Sequence, residues 1–308
     1  MTTISITPIC YYNGRQKEER TVDKIDGRYE RYLVNLPVIP EVATKILSVT
    51  DKDWNISFEE LENIIKIDPG LTTKILKIAN SALYARQREI TDVQQAIVLL
   101  GLKSIRSLVL LVAASNALRG RNGKEFYRQY WRHSVYSAFL ARHLCLRTGM
   151  VDSVEIAFLG GVLHDMGQVA LFNTDPDSYL RVLAKSSDEF EDLVEQERTA
   201  FGIDHRELGA LAFTKWNFPD VYVDIAREHG GLNIVSPHKQ IIMIISVATI
   251  LANLRGTELS DNDETRLSSF VSRLRLSESD VAYYHSQFRI DVQKEPLFRQ
   301  CKEIFNIN

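Results

Sequence analysis

The chain of 308 residues is 45% hydrophobic and 25% charged, with a formal net charge of -3. That balance is ordinary for a globular protein with room for two lobes, and it supplies no global attraction for nucleic acid or an anionic membrane. Its three cysteines, Cys10, Cys145 and Cys301, are far apart and odd in number, which argues against a disulfide framework or a zinc knuckle and fits a reducing cytoplasm.

Met1 to Cys10 lacks the basic-then-apolar layout of an export signal. The most apolar runs, 108–114 and 241–254, fall short of the roughly 20 residues needed to cross a bilayer. Both read as buried core helices, so membrane insertion is not expected.

Residues 1–25 have little apolar periodicity and read as an N-terminal arm. Helix punctuation is dense from Leu36 onward. Pro40 opens a helix with Val42, Ile46, Leu47 and Val49 on its apolar face, and Ser57 with Glu60 forms a capping box for the next. Asp68-Pro69 starts a helix carrying Leu71, Ile75, Leu76 and Ile78. Thr91 with Gln94 caps another that Gly101 stops, and an apolar helix runs from Leu102 to Leu118. The segment Arg119 to Lys124, two glycines among three cations, has loop chemistry and marks the junction of two lobes.

Beyond the junction, helices are expected over 126–147, 153–172, 176–184, 189–201, 205–216, 219–228 and 237–253. A polar connector and one or two further helices past Ser277 follow. No fixed-period repeat and no sustained alternation is present, so the fold class is all-α. The expected organisation is an arm over 1–25, an N-terminal helical lobe over 26–120, a second helical lobe over 121–258 and a C-terminal helical extension over 259–308.

The residues with the most chemical content are His133, the pair His164-Asp165, His205 and His229. Imidazoles with a carboxylate suit a divalent ion such as iron, manganese, zinc or nickel, and such an ion can activate water as a nucleophile. Neighbours on a helix point about 100° apart, so His164 and Asp165 share an ion only if other helices bring ligands over the same spot. Gly160, Gly161 and Gly167 permit that close approach. The competing reading makes these histidines helix caps and core hydrogen-bonding groups, with Asp165 orienting one imidazole.

The run Gly161-Val162-Leu163-His164-Asp165-Met166-Gly167 resembles the motif that names the HD phosphohydrolase superfamily, and Trp131-Arg132-His133-Ser134 resembles that superfamily's first histidine. In the first lobe, Leu36-Pro37 with Pro40, Ile67 to Leu71, Leu76 to Ser81, and Ala96-Ile97 with Leu100-Gly101 resemble the HDOD family. In the second, Phe201-Gly202, Asp204-His205, Leu208-Gly209, Trp216 to Pro219 and His229 continue the resemblance. It implies an N-terminal helical bundle packed on an HD-like lobe, in a bacterial signalling or regulatory protein. Pro37, Pro40 and Asp68-Pro69 read as helix architecture, whereas Asn80-Ser81 either ends a helix or lines the surface between the lobes.

The same resemblance exposes two departures from catalysis. Active HD hydrolases are expected to complete their site with an aspartate from a later helix. Between Gly230 and Ser260 this chain has no aspartate and only Glu258, while Thr249 stands near the place of the acid and Asn253 follows one turn on. Gln168 stands where competent relatives that cleave cyclic dinucleotides carry a lysine, and the paired histidines of that branch are reduced to His229-Gly230.

The leading expectation is therefore a non-catalytic cytoplasmic regulator acting through a separate signalling protein. Its metal site, drawn from His133, His164, Asp165, His205 and His229, is degenerate; no cofactor is required, and a divalent ion fits the donors. The alternatives are a metal-dependent phosphohydrolase acting on a nucleotide or cyclic dinucleotide, and a sensor of a small anion using Lys103 or Arg106. Nucleic acid is not an expected partner.

Overall fold

Helix starts follow capping chemistry in the computed structural model, which describes residues 29, 31, 32, 46, 58–66, 68–80, 90–117, 123–186, 190–254 and 259–307. Helix α1 spans Phe58–Lys66 and α2 Pro69–Ala79. The Asp68 carboxylate accepts from the N–H groups of Gly70 (2.8 Å) and Leu71 (3.1 Å), as its sequence position predicts. Helix α3, Val93–Leu100, starts one residue later than expected: Asp92, not Thr91, is the cap and accepts from the Gln95 N–H at 2.8 Å. A carboxylate is the better acceptor for the exposed N–H groups of a first turn. Gly101, at φ +79°, ends α3 as expected, and α4 spans Leu102–Ala117.

The four helices pack on one another around Leu61, Ile65, Leu71, Ile75 and Ile97. The Asn80 side chain donates to the carbonyls of Leu76 and Ile90 and accepts from the Ile90 N–H, so it ties a helix end to the following segment. Its role is architectural. The expected arm, the Pro37/Pro40 entry, the Ser57 cap, Ser81, the 119–122 loop and Glu258 lie outside the described residues, as do the side chains of Lys103 and Arg106.

The second set comprises α5 (Lys124–Arg147), α6 (Val154–Leu163), α7 (Met166–Thr174), α8 (Pro176–Lys185), α9 (Phe190–Phe201), α10 (His205–Lys215), α11 (Asp220–Glu228) and α12 (Lys239–Asn253). The helix expected over 153–172 is two helices that meet at a turn formed by His164 and Asp165. One stretch among the described residues, Val151–Thr174, is long and apolar enough to cross a membrane, but 78% of its apolar window is buried inside the fold. Helix α5 forms the axis: α6 and α12 lie along it, and α6 also meets α4, where the N-terminal bundle packs on the HD-like lobe.

The segment expected to be a polar connector contains a helix, α13 (Asp261–Leu274), capped by Ser260. Its buried stripe is only Arg266, Leu267 and Phe270, too narrow to stand out in a polar sequence. Short helices α14 (Glu278–Ala282) and α15 (Phe288–Asp291) flank a π-helical turn, and α16 (Pro296–Phe305) closes the chain. Helix α16 packs against α5, α2 and α4, with the Phe305 ring 4.1 Å from that of Trp131. No strand occurs among the described residues.

Candidate metal centre

Glycines set how closely the helices around the His164–Asp165 turn approach. A Cβ on Gly161 would stand 2.6 Å from the Ala138 Cα of α5, and one on Gly167 would stand 1.9 Å from the His205 carbonyl oxygen of α10. Only a residue without a side chain admits such contacts. The turn is thereby pressed between α5 and α10.

All five expected residues converge there. His133 comes from the middle of α5, His164 and Asp165 from the turn, His205 from the first position of α10, and His229 from the end of α11. Asp165 is the hub. Its Oδ1 lies 3.2 Å from His229 Nε2 and 3.6 Å from His205 Nε2, and its Oδ2 lies 3.2 Å from His164 Nε2 and 3.5 Å from His133 Nε2. The two trios His133–His164–Asp165 and Asp165–His205–His229 each keep their ligand atoms within 4.8 Å of one another. His164, His205 and His229 are fully buried, Asp165 is 4% exposed, and His133 is partly exposed.

The ring orientations carry the chemistry. His164 Nδ1 donates to the Gly161 carbonyl at 2.9 Å, and His229 Nδ1 donates to the carbonyls of Ile225 (3.0 Å) and Ala226 (2.9 Å). His205 Nδ1 donates to Glu197 Oε2 at 2.6 Å. A carbonyl or carboxylate can only accept, so each Nδ1 carries a proton and each Nε2 faces Asp165, where it can donate a second proton to the carboxylate or offer a lone pair to a cation. Either a proton or a metal ion between Nε2 and the carboxylate makes such an approach favourable, and His229 Nε2 stands 3.2 Å from Asp165 Oδ1. Two donors each about 2.1 Å from one ion are about 3.0 to 3.4 Å apart, which matches the 3.2 Å spacings of Asp165 to His164 and His229, while those to His133 (3.5 Å) and His205 (3.6 Å) are longer. Backbone or carboxylate support on the far ring nitrogen is also what orients metal-bound histidines.

Electrostatics agree with that arrangement. Burial pushes the His229 imidazole down to about 4, so the ring is neutral at physiological pH. Burial also opposes charge on His205, but the Glu197 carboxylate outweighs it and raises the pKa. Burial alone would raise the Asp165 carboxyl, yet the surrounding imidazoles, His164 foremost, hold it well below the ordinary value.

Glu197 and Tyr179 were not among the expected site residues. Glu197 is fully buried; its Oε2 accepts from both the backbone N–H and the ring of His205, and its Oε1 accepts from the Tyr179 hydroxyl at 2.7 Å. The signal was present: Glu197 follows Leu193 and precedes Phe201 at four-residue spacing, placing a carboxylate on the apolar stripe of α9. Thr249, on α12, holds its hydroxyl 3.3 Å from His164 Nε2, so a neutral oxygen faces the cluster from that helix. Among the other described histidines, His143 pairs with Glu295 at 2.6 Å, away from the cluster.

An all-helical chain that sets imidazoles from three helices around a His-Asp turn is a protein with an HD-type centre. It belongs to the HDOD domain family, whose sequence model matches residues 36–231. A crystal structure of a protein from Marinobacter aquaeolei VT8, provisionally described as a signal transduction protein, superposes with a TM-score of 0.71 at 22% identity over 92% of this chain and 62% of its own. One from Shewanella amazonensis SB2B, provisionally described as a phosphohydrolase, gives 0.68 at 21% identity over 90% and 98%. An uncharacterized protein of Treponema pallidum (strain Nichols) is 22% identical over 215 residues, 69% of this chain. The chain spans 42% of the length of that relative.

Proposed function

We propose that this HDOD protein is a regulator whose His/Asp centre holds a divalent cation as a structural cross-link, without hydrolysing phosphate esters, and that its output is contact with a separately encoded signalling protein. The observation that carries the reading is Thr249. Its hydroxyl lies 3.3 Å from His164 Nε2, so the face of the centre formed by α12 offers no carboxylate to orient an attacking water.

His133, His164, Asp165, His205 and His229 would hold the cation, and Glu197 would fix the aim of His205. The bound charge would offset Asp165 and tie α5, α10 and α11 to the turn. Iron, manganese, zinc and nickel all suit an imidazole and carboxylate donor set. The second reading, a metal-dependent phosphohydrolase, draws on the retained donors and on the description given to the Shewanella protein. Assaying metal-loaded wild type and His164→Ala against a panel of nucleotides, cyclic dinucleotides and a generic phosphodiester separates the two. The expected result is no turnover above metal in buffer for either protein; turnover in wild type that His164→Ala abolishes would establish the hydrolase.

A further inference from the structure

His229 is held by the end of its own helix at a chain reversal, and the residue after it is held by side chains from outside the family-matched segment. Gly230 follows it at φ +74°, a left-handed conformation that glycine adopts without strain. Both polar groups of Gly230 are gripped by side chains. Its N–H donates to Ser246 Oγ of α12 at 2.9 Å, and its carbonyl accepts from Arg266 Nη1 of α13 at 3.0 Å. Ser246 is in turn fixed by donating to the Ile242 carbonyl at 2.8 Å, and Arg266 also pairs with Asp263.

The energetic oddity is Arg266. It is 1% exposed, in a helix whose other buried residues are apolar, and the desolvation cost of a buried guanidinium makes it a weak choice for stability alone. Arginine's rigid fork instead fixes the position of an acceptor more tightly than an apolar contact can. The acceptor here belongs to the residue next to a ligand of the centre. A shift of the Gly230 peptide swings the His229 ring, whose Nε2 must stay within a few tenths of an ångström to remain on a shared ion.

We propose that Ser246 and Arg266 form a clamp on Gly230 that positions His229 for the cation, making α13 part of the metal centre. Both clamp residues lie beyond residue 231, where the family match ends. The inference rests on the cation reading above and adds a route for regulation: anything that draws α13 away releases Gly230 and weakens the centre.

The test uses the full chain, stripped of metal and titrated with cobalt(II), following both the dissociation constant and the ligand-field absorption of the loaded protein. Ser246→Ala removes one jaw at little cost in volume. Arg266→Met removes the other while keeping its bulk, and Arg266→Lys retains a cationic donor. Supporting mutations around a metal ligand typically cost 10- to 100-fold in affinity. Ser246→Ala and Arg266→Met are expected to weaken cobalt binding by about tenfold or more and to alter the absorption spectrum, with Arg266→Lys restoring part of both. If Arg266→Met fails to fold, Ser246→Ala carries the same test. Wild type binding cobalt while Ser246→Ala binds it with equal affinity and an identical spectrum overturns the clamp alone. Wild type taking up no cobalt overturns the cation reading and the clamp with it.

Discussion

Gly167→Ala is expected to lower stability by ~3 kcal/mol or more and to abolish metal uptake, because no side chain fits between the turn and α10. The added Cβ would meet the His205 carbonyl oxygen at 1.9 Å, its carbon at 2.7 Å and the Gly209 nitrogen at 2.8 Å. All three atoms are backbone, so no rotamer change relieves the clash; α10 must move as a body. His205 is the first residue of that helix, and moving it breaks its alignment with both Glu197 and Asp165. Urea unfolding gives the stability change. Gly231→Ala, where the nearest atom is 3.5 Å away, is the control and is expected to stay within ~1 kcal/mol of wild type. A Gly167→Ala protein as stable as that control would show that the turn is not packed this tightly.

Asp165→Asn is expected to destabilise the metal-free protein and to abolish the further stabilisation that metal confers. With metal bound, the Asp165 carboxylate is the anion that all four imidazoles share, and its loss removes the ligand common to both trios. Affinity is expected to fall by more than the 10- to 100-fold typical of a supporting residue. Without metal, the imidazoles around Asp165 hold its carboxyl well below the ordinary value, so its negative charge also stabilises the metal-free fold. The metal-free variant is therefore expected to melt below metal-free wild type at neutral pH. A cation at 100 times its dissociation constant adds ~2.7 kcal/mol to the wild type and none to the variant, so only the wild-type melting temperature rises on adding metal. A variant as stable as wild type without metal, or one that keeps the metal-induced shift, contradicts the account of Asp165 as the hub.

Much of the architecture was legible in the chain because helices announce their ends locally. Asp68, Asp175 and Asp204 each accept from N–H groups two or three residues on, an interaction visible within four letters of sequence. The five site residues were legible for another reason: His133, His164-Asp165, His205 and His229 stand in a recognisable order, and the structure gathers them around one carboxylate. What escaped depends on contacts through space. The break at His164-Asp165 has no proline or cap to mark it, since it is imposed by packing at Gly161 and Gly167. Arg266 meets Gly230 across 36 residues, and nothing in the polar run around it signals a buried guanidinium. Glu197 lay between these extremes, readable as a misplaced charge on an apolar stripe but not assignable to His205 without coordinates.

The most direct test of the cation centre is elemental analysis of the purified full chain combined with X-ray absorption at the edge of whichever metal it contains. The expected result is a stoichiometric divalent metal in a shell of imidazole nitrogens and carboxylate oxygen at about 2.0 to 2.2 Å, with no sulfur ligand. Protein that carries no metal and acquires none on incubation with manganese, iron, nickel or zinc would instead make the His/Asp cluster a hydrogen-bonded core and contradict the proposed cross-link.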